Sequence, residues 1–168
     1  MKLLIKKFES KKIFFQKTKG FMMLEVLLVA SIMTLSVLAV MSVAQKSIYV
    51  SRLALDATAA SFLLEEGAEV VRILRDDTWN NISSLSTSTD YYADFSGGWT
   101  LSLTPNTLGM YTRKIRFENV NRNDTTDDIV PSGTNDPNSR FVTVTVTWTN
   151  GGNVVNKTLS FYIFDIFS

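Results

Sequence analysis

Few side chains in this sequence are placed to do chemistry, and the most pointed is Glu25. It stands five residues after Gly20, with Phe21 following the glycine and the uncharged run Val26 to Ala44 behind the acid. A charged group at the centre of a membrane-spanning helix costs about 2.5–3.5 kcal/mol by insertion scales. Glu25 sits near one end, which lowers the cost, but it still calls for a partner. Asp124, Asp127 and Asp128 supply oxygen ligands of the kind calcium takes. Their spacing matches no EF-hand loop, which favours a polar loop over a metal site. Glu65, Glu66, Glu69, Arg72 and Arg75 are spaced for intrahelical pairs on a solvated face. Asn81, Asn123 and Asn156 begin glycosylation sequons. Trp79, Trp99 and Trp148 suit core or sheet-edge packing.

What is missing narrows the function further. The 168 residues include no cysteine and no histidine. No thiol nucleophile, disulfide or Cys-based zinc site is possible, and the usual general base near pH 7 is absent. The serines have no Gly-x-Ser-x-Gly or Ser-x-x-Lys context, and there is no phosphate-binding loop motif. No enzymatic activity and no cofactor are expected.

The elements that must position Glu25 emerge once the charges are placed. The net charge of +1 is a balance of two unlike segments. Residues 1–20 carry seven lysines and one acid, a net of +6. Residues 21–168 carry ten basic and fifteen acidic residues, a net of −5. The acidic body gives no argument for nucleic-acid binding. About 20 apolar residues cross a hydrocarbon core of about 30 Å. The lysines flank the N-terminal side of the run, so that end is expected in the cytoplasm and the rest outside it.

After Ala44 the pattern turns amphipathic without a turn signal. Leu55, Ala59, Phe62, Val70 and Ile73 recur at helical spacing, with charges between them. No proline falls between residues 24 and 76, and Gly67 is the one glycine there. The pattern predicts one helix from about Leu24 to Arg75, on the order of 75 Å long. Beyond it, Trp99–Leu103, Met110–Glu118, Arg140–Thr149 and Val154–Phe164 read as strands. Val142, Val144, Val146 and Trp148 alternate with Phe141 and threonines. Asn150-Gly151-Gly152-Asn153 is a hairpin signal. The amphipathic half of the helix is the only large apolar cover for such a sheet. The expected class is α+β: a long N-terminal helix packed on a small antiparallel sheet. The parts are a leader at 1–20, a spanning helix at 21–45, an amphipathic helix at 46–76 and a sheet domain at 77–168. Residues 119–139 are expected as a polar surface loop.

The junction Lys17-Thr18-Lys19-Gly20-Phe21-Met22-Met23-Leu24-Glu25, with the apolar run after it, resembles the processing motif of the type IV pilin and pseudopilin superfamily. The resemblance implies that a prepilin peptidase cuts after Gly20 and that Phe21 becomes an N-methylated terminus. It implies that Glu25 pairs with the N-terminal amine of a neighbouring subunit. An α-amino group of pKa roughly 8 is cationic at neutral pH and suits that role. Leu63 to Arg72, Asp77 and Trp79, and Val142 to Trp148 are similar to the minor-pilin or pilus-modification subgroup. Departures are Met22-Met23 where many members have Thr-Leu, a 20-residue leader, no proline in the spanning helix and no C-terminal disulfide.

The resemblance makes the chain a prepilin-like precursor of a structural, minor subunit of a pilus or type II secretion-like pseudopilus. Its implied partners are the peptidase, other pilin-like subunits, an inner-membrane assembly platform and, before assembly, the membrane. A single-pass anchor displaying an extracytoplasmic binding module is the alternative from another class. A secretory signal peptide cut after Ser42-Val43-Ala44 is a third reading; its apolar core is too long for it and contains Glu25.

Overall fold

The computed structural model describes residues 19–167, and of Lys19 and Gly20 only the backbone. Residues 1–18, rich in lysine, and Ser168 lie outside the described residues. The chain divides into two compact units, residues 1–50 and 51–168. Helix α1 runs Lys19–Asp77 and α2 is the short turn Asn80–Ser83. The strands are β1 (Asp90–Phe95), β2 (Trp99–Ser102), β3 (Thr112–Arg122), β4 (Ile129–Val130), β5 (Thr134–Asn150) and β6 (Asn153–Phe164). The class is α+β, as the periodicities predict.

In the second unit the strands form one antiparallel sheet in the order β2-β1-β3-β5-β6, with β4 paired to β3. The β5–β6 hairpin closes at Asn150 and Asn153. Gly151 and Gly152 hold φ of 56° and 83° there, which glycine adopts without a Cβ penalty. The register is set by one apolar face. Val142, Val144 and Val146 of β5, Ile115 and Phe117 of β3 and Ile163 of β6 are all buried. Full burial of each such side chain contributes about 1.5–3 kcal/mol. Tyr91 and Ala93 of β1 join the same core. The Asp90–Phe95 strand is absent from the sequence reading, because carboxylates at 90 and 94 mask its alternation.

The helix covers this face with a different stripe from the one its hydropathy suggests. Leu55 and Phe62 are 69% and 65% exposed, and Ile73 is exposed as well. The buried set is Ala60, Leu64, Gly67, Ala68, Val70 and Val71. Small residues let the helix axis approach the strands. A Cβ on Gly67 would lie 2.7 Å from Val144 Cγ1 and 3.0 Å from Arg113 Cδ. Arg113 shares the buried face of β3 and pairs with Glu66, so Glu66 bridges helix and sheet instead of joining an intrahelical pair. Arg72 and Glu69 do pair within the helix. The C-terminus of α1 is capped by Asn81, whose Nδ2 donates to Leu74 O and Asp77 Oδ2.

The expected polar loop at 119–139 is mostly strand. β3 continues to Arg122 and β5 begins at Thr134, the two staying paired across a register shift at Asn119/Val120. Pro137 falls in that shift, where no ladder bond to β3 is needed. The segment is held by charge. Arg122 Nε lies 2.6 Å from Asp136 Oδ2, its Nη1 donates to Asp127 O, and its Nη2 donates to Ser139 Oγ. Ser139 Oγ in turn donates to Asp136. Pairing between strands so far apart leaves no local hydrophobic signal.

Candidate functional site

Residues 21–50 of the first unit are helical and exposed throughout. Among the described residues, α1 is the one helix long and apolar enough to cross a membrane, and its apolar window is entirely unburied. By length and composition it could cross a membrane. Four polar side chains interrupt the run from Val26 to Ala44, and all four are satisfied within the helix. Ser31 donates to Leu28 O, Thr34 to Ala30 O, Ser36 to Ile32 O and Ser42 to Leu38 O, at 2.7–2.9 Å. Hydroxyls turned back onto the preceding turn leave nothing for lipid to desolvate at full cost.

Glu25 stands apart from that pattern. It is the one ionisable residue between Phe21 and Ala44. Its side chain lies along a shallow groove with Met22, Val26, Val29, Ala30 and Met33. Those positions are one helix face at spacings of three and four. The face offers a carboxylate beside an apolar strip, which suits an apolar helix carrying a cation. Phe21 is exposed and helical, one turn before Glu25. Gly20 lies in the helix as backbone, and the lysines at 2–17 that complete the junction lie outside the described residues.

The acidic candidates behave as a turn. Asn123 Oδ1 accepts from the N–H groups of Thr125 and Thr126, and Asp127 N donates to Asn123 O. The Asp127 carboxylate lies 3.8 Å from Arg122, and Asp128 O accepts from Asn123 N. Among the described residues, Asp124, Asp127 and Asp128 form no cluster able to hold a metal ion. The tryptophans pack: Trp148 is buried, Trp79 Nε1 donates to Pro137 O, and the Arg113 guanidinium lies over Trp99. The residue that sequence reasoning missed is Arg113, whose position in the Tyr111–Phe117 alternation was the available signal.

No protein-family model, curated protein or solved structure matches the chain.

Proposed function

We propose that the chain is a prepilin-like precursor, cut after Gly20 and assembled through its N-terminal helix as a minor structural subunit of a pilus or secretion pseudopilus. One observation carries the reading. A single carboxylate, Glu25, lies five positions after a glycine that ends a lysine-rich leader, on a helix face otherwise wholly apolar and exposed. Removal of the leader takes away +6 of charge that would bar that end from a helical bundle. The new amine at Phe21 then meets the Glu25 carboxylate of a neighbouring copy, in a low-dielectric bundle where the attraction is strong. The helix with its sheet body is consistent with the pilin architecture and supports the reading.

Co-expression with a prepilin peptidase, followed by N-terminal sequencing and intact mass, tests it. The expected product begins at Phe21 and carries an added methyl group. A product beginning at Gln45 means a signal peptide, and an uncut Met1 means a plain anchor; either result overturns the proposal.

A further inference from the structure

The turn between β5 and β6 carries an amide that no part of the proposed function uses. Asn150 is the one asparagine of the chain that is followed by a glycine. Gly151 and Gly152 both hold positive φ, the type I′ pattern of a two-residue hairpin turn. In that turn Asn150 pairs with Asn153, and no turn hydrogen bond among the described residues uses the Gly151 N–H. A Cβ at Gly151 would meet nothing within 4 Å, and the residue is exposed, so its nitrogen is open to water. The amides of Asn81, Asn106, Asn121 and Asn123 are held by hydrogen bonds that Asn150 lacks among the described residues. Their following residues are the bulkier Ile82, Thr107, Arg122 and Asp124.

We infer that Asn150 is a site of spontaneous deamidation, carried out by the backbone of its own turn. The Gly151 nitrogen gives its proton to hydroxide and attacks Asn150 Cγ. The new N–Cγ bond closes a five-membered succinimide as the Cγ–Nδ2 bond breaks, and Nδ2 leaves as ammonia with a proton from water. Water then opens the ring. Addition at Cγ gives aspartate. Addition at the Asn150 backbone carbonyl carbon gives isoaspartate, whose chain runs through Cβ and Cγ. The sequence consumes only water, and nothing is oxidised or reduced. Glycine favours it because no Cβ crowds the attacking nitrogen. Ring closure requires Asn150 to leave its extended backbone conformation. Asn150 and Asn153 are the last pair of the hairpin, so that rotation opens only the tip.

The reaction changes charge and pairing together. Residues 141–156 contain no charged residue, so either product sets a carboxylate in a stretch that has none. Isoaspartate also lengthens the backbone by one atom, and a two-residue turn then loses its match to the flanking strands. The next pair, Thr149 with Val154, offers little resistance, because Val154 is 73% exposed. The pair after it, Trp148 with Val155, holds a buried Trp148 side chain and anchors the ladder. Loss of pairing should stop there. The inference is independent of membrane insertion, processing and filament assembly.

Ageing the full chain in detergent, in mildly alkaline buffer, tests it. Isoaspartyl methyltransferase with radiolabelled S-adenosylmethionine is the probe, followed by peptide mapping. The methyl label is expected at residue 150, with an aspartate form beside it and an acid shift of the isoelectric point that grows with ageing. Asn150→Gln keeps both glycines and the turn, and it should lose the label and the shift, because closure of the larger ring is far slower. Amide hydrogen exchange of the aged chain should quicken at Asn153 and Val154 and stay unchanged from Val155 onward. Label absent from residue 150 in the folded chain, though a urea-unfolded chain takes it up there, would mean that the turn holds Asn150 shut, and overturns the inference. Label spread evenly over the asparagines of the folded chain overturns it as well.

Discussion

Nη1 of Arg113 lies 3.0 Å from Oε2 of Glu66, joining a strand to the helix that covers it. The two partners are unequal. Arg113 is 1% exposed beneath the helix, while the Glu66 side chain is 42% exposed at its margin. The guanidinium also donates to Leu63 O and lies over the Trp99 ring, and its Nε has no partner among the described residues.

Glu66→Ala should therefore destabilise the sheet unit through the charge it strands. Removing one partner of a fully buried pair costs about 3–5 kcal/mol. Water reaching the Glu66 side reduces the expected loss to about 1–3 kcal/mol. Chemical denaturation of the full chain in detergent reads it as a lower midpoint at unchanged slope. An unchanged midpoint would mean that water already solvates the guanidinium.

Gly67→Ala sets two effects against each other. Alanine in a helix interior gains about 1 kcal/mol over glycine. Here its methyl would lie 2.7 Å from Val144 Cγ1, and overpacking of this kind costs about 1–3 kcal/mol. The single variant should come out less stable than the wild type. Adding Val144→Ala removes the opposing methyl, and a double-mutant cycle should show favourable coupling between the substitutions. Additive losses would place the strain elsewhere.

Two carboxylates should govern the acid limb of stability. Burial alone would raise Asp90, but hydrogen bonds and charge from Lys114 and Arg116 outweigh it and hold the group below its ordinary value. Burial also opposes ionisation of Asp136, and hydrogen bonds from Ser139, Arg122 and the Asn138 N–H overcome it. Both groups bind protons less readily folded than unfolded. Their contribution is full above the unfolded value of about 3.9 and is lost as pH falls through the lower folded values. Melting temperature should be flat from about pH 7 to 5 and drop below about pH 4. Asp136→Asn should lower it at neutral pH and make the acid limb shallower. A limb as steep as the wild type's would assign acid sensitivity to other groups.

Glu25→Ala should separate processing from assembly. The acid lies outside the Gly20–Phe21 bond, so the variant should be cut at the wild-type site and remain in the membrane. It should fail to enter filaments, as measured by immunoblot of sheared fractions. Incorporation at the wild-type level would remove Glu25 from the assembly mechanism.

The parts of this fold that were legible in the chain are those whose partners lie nearby. Val142 to Trp148 alternates strictly, and Asn150–Asn153 forces the return of β6, so both declare themselves locally. The helix shows where it is apolar, but periodicity does not say which face meets the sheet. Leu55 and Phe62 advertise a stripe that stays exposed, while Ala60 and Gly67 carry little hydropathy and make the closest approach. The strand ends at 119–139 were hidden because they are joined by Arg122 and Asp136, charges that read as loop until a partner fourteen residues away is known. The junction at Gly20, Phe21 and Glu25 draws attention by residue type and spacing, and its roles rest on the proposal that N-terminal sequencing tests.

Among the described residues, the sheet ends on β6, a twelve-residue strand with one side unpaired. Such an edge is a template on which another chain can add a strand. Lys157 lies on the same face as Val155, Phe161 and Ile163 and donates to Ser61 Oγ at 2.6 Å. An incoming strand would have to seat its own apolar side chains beside that ammonium group. An inward-facing charge of this kind disfavours strand addition at the β6 edge, and so disfavours fibrillar pairing of one sheet with another there.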